Sequence, residues 1–543
     1  MAETIIFSNG RFFNDTITPS TSDSVMAVKD GKIVFIGTST SSTWKTFLAT
    51  ESSSIKSQDL KGQYVLPGFI DGHMHFLMLG QSLHKVDLTG CENLAEIRSR
   101  ISKYAAENPG VKRVLCMGWM HSMTDGEAKA GMLDDLGSRP IYIDSKDLHS
   151  VWCNSAALEE MGIHDMEVPA GGIIERDASG RASGLLSEAC VLLIVWPYLA
   201  KVLPMEEKMA ALRAAIKAYH QAGCTGFIDM AMDENAWEAI LALREAEGGK
   251  LSIRIAAHWC ILPGSGESDR LLQVDRAIEL QQQFNSTTSP DLRILGIKVI
   301  CDGVVDACTA ALAKPYTSNP SASTDPIWTA EMLSPVVKKA SEANLQCALH
   351  AIGDAAVHNA INALEEHGKP NQRHRIEHLE LTSPADAARL GTLNITASIQ
   401  PVHSDPAILR AWPKLLGPER LKRAFAYKEF ADHGAVLAIG SDSPTAPHAP
   451  LQNLYVAMTR KSARQPEKSD NPVNEEFRLG VGQAISAATK GAAFSCFDEG
   501  RVGTLDVGME ADFVIVDWSG EAGELLGARV RATWFKGEKV YEL

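Results

Sequence analysis

The stretch "GFIDGHMHF", Gly68–Phe76, sets the reading of the whole chain. It places His73 and His75 one residue apart, directly after a Pro67-Gly68 pair and an apolar run. On a strand, alternate side chains share a face, so both imidazoles point the same way. On a helix they diverge, and Pro67-Gly68 argues against a helix at this point. A strand end here aims two nitrogen donors at one place, and the remaining donors must come from elsewhere in the chain.

Outward from that stretch, reading from Val65, short apolar runs alternate with helical stretches, as in a series of βα units. The runs are "YVLPGFIDGHMH", "GCTGFIDMA", "LSIRIAAHWC", "RILGIKVICDG", "LQCALHAIGD", "RHRIEHLE", "ITASIQPVH" and "AVLAIGSDSP". Helices are expected at "EEKMAALRAAIKAYHQAG" before the second run and "DAAVHNAINALEEHG" after the fifth. This number of parallel strands closes a (β/α)8 barrel, which takes ~250 residues. The span from Val65 to Gly500 is longer, and the surplus lies mainly at 82–187, read as an inserted small α/β lobe. Within it "AGGIIERDASGRASG" is Gly-rich, and Gly171, Gly172 and Gly180 read as turn formers, since no phosphate-loop pattern accompanies them. Segments 1–64 and 501–543 share a strand-and-turn texture. They are expected to pair into one β-sandwich domain that clasps the barrel segment, 65–500, from both ends.

Bulk properties exclude several classes. The 543 residues are 45% hydrophobic and 22% charged, an ordinary soluble composition with material for a large core. A net charge of −15 opposes nucleic-acid binding. "MAETIIFSNGRFF" lacks the pattern of a secretory signal. The most apolar run, "ACVLLIVWPYLA", is too short for a bilayer. The ten cysteines form no CxxC pair and suit reduced thiols. These features suit a cytoplasmic protein with no membrane or nucleic-acid partner and say little about a small-molecule substrate; a homodimer is the default assembly.

Lined up at the strand ends are His73 and His75 (first), Lys298 (fourth), His350 (fifth), His378 (sixth), His403 (seventh) and Asp442 (eighth). In a (β/α)8 barrel these ends converge on one face. Singly, each has an ordinary explanation: an exposed His pair, satisfied buried histidines, a turn-capping Asp442. Lys298 among apolar neighbours is the exception. Jointly His73, His75, His350, His378 and Asp442 form a donor set for zinc or a similar divalent metal, with Mn2+ or Fe2+ as other candidates, while His403 is read as binding substrate or polarising its carbonyl.

The ordered motifs "LPGFIDGHMHF", "IKVICDG", "HAIGD", "RIEHLE" and "GSDSP" resemble the amidohydrolase superfamily, as does the closing "VGTLDVGMEADFVIVD". The inserted "GGIIERDASGRASGLLSEA" and "LHSVWCNSAAL" are similar to the branch of YtcJ-like proteins and N-substituted formamide deformylases. The resemblance implies a distorted TIM barrel carrying one or two metals. His73 and His75 would bind the more buried ion, and His350 and His378 the second. Lys298, N6-carboxylated, would bridge them. Asp442 would ligate metal and act as general acid and base. The implied reaction is hydrolysis of a non-peptide amide-type C–N bond; a lyase, cyclase or decarboxylase on the same metal site is the alternative. His403, His149, Asn154 and Trp119 are expected to contact substrate. Trp152 is expected to pack the lobe, and Glu188 to orient a ligand or cap a helix. Departures from the relatives, at Met120 and His121 in "MGWMHSM" and at Val304, Val305 and Asp306, leave the donor set intact and leave the substrate open.

Overall fold

The computed structural model describes residues 3–13, 23–51, 54–146, 148–169, 172–468 and 471–543. Gly171 lies outside the described residues. Contacts divide the chain into two compact bodies: Met1–His75 with Ile216–Asp233 and Glu247–Leu543, and Phe76–Ala215 with Glu234–Ala246.

The first body is built on eight parallel strands: β1 (Phe69–Met74), β2 (Cys224–Met232), β3 (Arg254–Ile261), β4 (Leu292–Ile300), β5 (Gln346–Ala351), β6 (Arg375–His378), β7 (Thr396–Ile399) and β8 (Leu437–Ile439). They follow chain order in one sheet. These are the eight runs read from the sequence, rich in Val, Ile and Ala because a parallel sheet is covered on both faces. Helices such as Ala330–Glu342 and Asp354–His367 bury one apolar stripe each beside the strands. The seam between β1 and β8 is closed at its end by a parallel bridge, Met74 to Ser443. Asp442 N donates to His73 O at 2.7 Å, and His75 N to Ser443 O at 2.9 Å. Gly440 permits this approach, because a Cβ there would sit 2.4 Å from His73 N.

A buried carboxylate fastens the same seam. Asp71 accepts from Ser441 N (2.9 Å), Ser441 Oγ (2.6 Å), the Tyr219 hydroxyl (2.8 Å) and His73 N (3.1 Å). Burial raises its carboxyl to about 6, against the pull of those four donors.

The terminal segments form two sheets. One holds Lys32–Thr38, Ser24–Lys29, Glu3–Ser8 and Ser54–Asp59; the other holds Arg11–Phe12, Tyr64–Pro67, Phe513–Asp517, Arg529–Phe535 and Glu538–Glu542. Phe7, Met26, Ile33, Val65, Phe513 and Trp534 share one core, so N- and C-terminal residues make a single sandwich. The run beginning at Tyr64 is therefore two strands rather than one. Tyr64–Pro67 pairs antiparallel with Phe513–Asp517, and Gly68 turns the chain into β1.

Ion pairs join the sandwich to the barrel. Arg254, at the start of β3, holds Asp512 and Glu510. Asp291, just before β4, pairs with Arg501 at 2.8 Å and with Lys536. Burial alone would push the Asp291 carboxyl up, but Lys536 and Arg501 prevail and hold it at about 2. A depressed carboxyl stabilises the fold above its unfolded value near 4 and loses that contribution as pH falls through 2. Asp291→Asn is expected to cost roughly 1–2 kcal/mol at pH 7, since the site is partly solvent-screened. Thermal melts of wild type and variant should converge between pH 4 and pH 2.

The second body carries a six-stranded sheet in the order Gly172–Arg176, Ala182–Glu188, Ser150–Cys153, Ile141–Ser145, Val114–Trp119 and Val86–Asp87. With helices Leu94–Glu107 and Ser155–Met161 it is the inserted α/β lobe, and it extends beyond 82–187 at both ends. The apolar run at 189–200 lies in this lobe as a π-helical turn, Val191–Val195, followed by helix Trp196–Val202. No helix among the described residues is long and apolar enough to cross a membrane.

Candidate metal centre

The C-terminal ends of β1, β4, β5, β6 and β7, with the segment after β8, carry the donors. His73 and His75 have ring centroids 5.7 Å apart, as alternation on β1 requires. The ring of His378 lies 4.9 Å from His73, 4.5 Å from His350 and 5.7 Å from His403, stacked on the last at 6°. Asp442 Oδ1 is 3.0 Å from His75 Nε2 and 3.3 Å from His73 Nε2, and its Oδ2 is 3.5 Å from His403 Nε2.

Backbone conformation makes this possible. Regular alternation on β6 would turn Glu377 and His378 to opposite faces. His378 instead has φ +78°, which breaks the period and lets both neighbours serve one place. Asp442 has φ +56°. Non-glycine residues held there carry about 1–3 kcal/mol of strain, a feature of functional sites.

Three imidazoles are oriented by carboxylates. Nδ1 of His73 bonds Glu377 Oε2 at 2.7 Å, that of His350 bonds Asp302 Oδ1 at 3.0 Å, and that of His403 bonds Glu380 Oε1 at 3.2 Å. Each leaves Nε2 for the site, the arrangement metal-ligating histidines use. Asp302 also accepts from Ile352 N, Gly353 N and Ala311 N, which ties the loop after β4 to the end of β5. Glu377 is clamped by Arg375, whose Nε donates to Oε1 at 2.6 Å and whose Nη2 also reaches Gly72 O and Ser398 Oγ. Glu377, Asp302, Glu380 and Arg375 were not singled out in the sequence. Their signal lay in their presence in the same motifs as the donors, "IKVICDG" and "RIEHLE", within four residues of Lys298 or His378.

Charge states follow from burial and neighbours. Burial lowers the proton affinity of His73 and, further, of His378, leaving the neutral form that ligates metal. Burial also lowers Lys298, against the attraction of Glu377 and Asp442. Burial opposes the ionisation of Asp442, but His73 and His75 overcome it and hold the carboxyl well below its usual range.

A divalent cation fits these residues. His73, His378 and Asp442 present donor atoms within 4.8 Å of one another, and so do His378, Glu380 and His403. His378 Nδ1 and Lys298 Nζ are buried without a hydrogen-bond partner among the described residues. Unpaired buried groups of this kind are costly unless something further engages them.

Residues 56–541 match the model of a family described as "Amidohydrolase family". The chain belongs to the amidohydrolase family. Among its relatives is Protein LONG AFTER FAR-RED 3 of Arabidopsis thaliana, 30% identical over 99% of this chain and 91% of that one. The putative amidohydrolase YtcJ of Bacillus subtilis (strain 168) is 29% identical over 89% and 90%. An N-substituted formamide deformylase of Arthrobacter pascens is 23% identical over 95% and 94%. An uncharacterized metal-dependent hydrolase from Pyrococcus furiosus has the same fold, with TM-score 0.77, 25% identity and coverage of 95% and 99%. This amidohydrolase is thus a metal-dependent hydrolase, in the branch that includes YtcJ and the deformylase.

The remaining sequence candidates belong to the lobe. Trp119 is fully buried in its core, ring centroid 5.4 Å from Trp152, whose Nε1 donates to Lys129 O. Asn154 caps helix Ser155–Met161: its Oδ1 accepts from Ala157 N and Ile141 N, and its Nδ2 donates to Arg139 O. Its amide is committed to the lobe's own backbone. His149 Nδ1 and Glu188 Oε2, both partly exposed, lie 2.9 Å apart. Gly180 sits in a turn at φ +85°.

Proposed function

We propose that this amidohydrolase hydrolyses an amide-type, non-peptide C–N bond of a small molecule, with Asp442 as general acid and base. The observation that carries the reading is the meeting of Asp442 with His73, His75 and His403, each at or below 3.5 Å, beside His378. His73, His75, His350, His378 and Asp442 would hold one or two divalent ions, zinc being the ion this donor set suits best. Such an ion lowers the pKa of water toward ~7 and polarises a carbonyl.

The protein's own residues supply the rest. Asp442 is ionised, so it takes the proton of the attacking water and then delivers it to the leaving nitrogen. Glu380 and Asp442 raise the proton affinity of His403 despite its burial, and with Nδ1 on Glu380 its Nε2 is the ring nitrogen left to engage the substrate oxygen. Lys298 is read as N6-carboxylated, which converts an unpaired buried amine into an anionic oxygen donor. Burial lowers its proton affinity, the direction that favours the free amine this modification requires. The nitrogen-acyl substrate of the deformylase relative supports an acyl or formyl amide as the reacting group.

Turnover of N-formyl and N-acyl amines in heavy-oxygen water tests this. Hydrolysis places one labelled oxygen in the acid product; an unlabelled product means a lyase or cyclase reaction and overturns the reading. A related result concerns orientation of His73. Glu377→Gln keeps the shape but removes the charge, and should weaken metal binding about tenfold to a hundredfold. Calorimetric titration of the metal-free variant with Zn2+ measures it.

A further inference from the structure

His378 belongs to two sets of converging donors, one with His73 and Asp442, the other with Glu380 and His403. A neutral imidazole offers a single nitrogen lone pair, so His378 ligates only one ion at a time. The first set does not need it. His75 Nε2 lies 3.0 Å and His73 Nε2 3.3 Å from Asp442 Oδ1, so two imidazoles and a carboxylate already surround one place without His378.

Backbone bonds hold the second set. Glu380 follows two non-glycine residues at positive φ, His378 at +78° and Leu379 at +54°. For a residue as bulky as leucine this is strained, and such strain persists where the surroundings enforce it, as in ligand clamps. Leu379 N donates to Ala351 O at 3.1 Å, Leu381 N to Ile352 O at 2.9 Å, and Phe425 N to Glu380 O at 2.8 Å. His403 lies in the turn Pro401–Ser404, where Val402 N donates to Asn453 Oδ1 at 3.0 Å and Ser404 Oγ to Pro401 O at 2.8 Å.

Glu380 differs from the other carboxylates that face imidazoles. Glu377 lies 2.7 Å from His73 Nδ1 and is clamped by Arg375; Asp302 lies 3.0 Å from His350 Nδ1 and accepts from three backbone N–H groups. Glu380 is 5% exposed, and no lysine or arginine among the described residues pairs with it. Its Oε1 is 3.2 Å from His403 Nδ1. That is long for a charge-assisted hydrogen bond, about 2.7–2.9 Å, and close to the ~3.3 Å between two ligands of one tetrahedral zinc ion. Two histidines and one glutamate form a three-ligand zinc set that leaves a fourth position open.

We propose that His378, Glu380 and His403 bind a divalent transition metal, zinc by preference, at a site separate from that of His73, His75 and Asp442. With Nδ1 of His403 on the ion, its Nε2 still faces Asp442 Oδ2 at 3.5 Å, which leaves that nitrogen for the substrate oxygen. The site stands whichever bond the enzyme hydrolyses.

Calorimetric titration of the metal-free protein with Zn2+ alone tests it. The wild type is expected to bind at least two equivalents per chain. Glu380→Gln and His403→Gln, each confirmed to fold by circular dichroism, should retain all but one of them and bind that one more than a hundredfold more weakly. Loss of a merely orienting partner costs about tenfold to a hundredfold, so the size of the effect separates ligation from orientation. Independently of any variant, an anomalous-scattering map of Zn2+-loaded wild-type crystals should place an ion ~2.1 Å from a Glu380 oxygen and a His403 nitrogen. A single equivalent in the wild type, a weakening below a hundredfold in both variants, loss of every equivalent together, or a map with Glu380 and His403 free of metal overturns the proposal.

Discussion

Asp442→Asn is expected to lower kcat about a thousandfold or more while leaving thermal stability close to wild type. Asn matches the shape of the side chain and can accept hydrogen bonds through one oxygen, but it has no carboxylate to take a proton. General acid–base catalysis by a positioned group contributes about 10²–10⁴-fold, and here one group serves both halves of the reaction. Asp442 also draws its low proton affinity from His73, His75 and His378, which ties its charge to the site it serves. The strained φ of +56° is common to Asp and Asn, since both tolerate the left-handed region, so the backbone should hold. Steady-state kinetics with metal content measured on the same sample checks the result. Full turnover by the Asn variant removes the assigned role.

The second large effect concerns Lys298. Its amine lies inside the barrel, 2% exposed, without a hydrogen-bond partner among the described residues. Lys298→Met preserves the length and apolar stem while removing the nitrogen. If Lys298 serves as an anionic bridge, the variant should lose at least one equivalent of metal per chain and about a thousandfold of activity, since the site loses an oxygen donor and its negative charge. Because an unsatisfied buried amine is removed, the variant should melt at the same temperature as the metal-free wild type or higher. Unchanged metal content and rate would show that the lysine is only a filler of the barrel interior.

The barrel was legible because parallel strands covered on both faces leave continuous apolar runs, and each of the eight runs holds one barrel strand. The donors were legible because each closes such a run, and a barrel gathers those ends. What escaped reading was the layer that orients them. Glu377 precedes His378 directly, and two-residue alternation assigns them opposite faces; only the φ of +78° at His378 brings them together. Arg375 and Asp71 read as internal strand residues, and their worth lies in partners more than 300 positions away, Gly72 and Ser441. The division at Gly68 escaped for a similar reason. "YVLPG" and "FIDGHM" are equally apolar, and only pairing with Phe513–Asp517 separates them. In the lobe, Trp119 and Asn154 carried the residue types of a binding site. Burial of the one, and the bonds of the other to Ile141 N and Arg139 O, are tertiary facts that their local sequence does not encode.

Metal analysis decides whether the gathered donors act as a single centre. Mass-spectrometric metal content should be measured on protein purified without chelators, beside a His73→Ala/His378→Ala variant confirmed to fold by circular dichroism. One or two equivalents of a divalent transition metal per chain are expected in the wild type, and less than about a tenth of an equivalent in the variant. A folded wild-type protein devoid of metal, or a variant that keeps its full complement, would contradict the account.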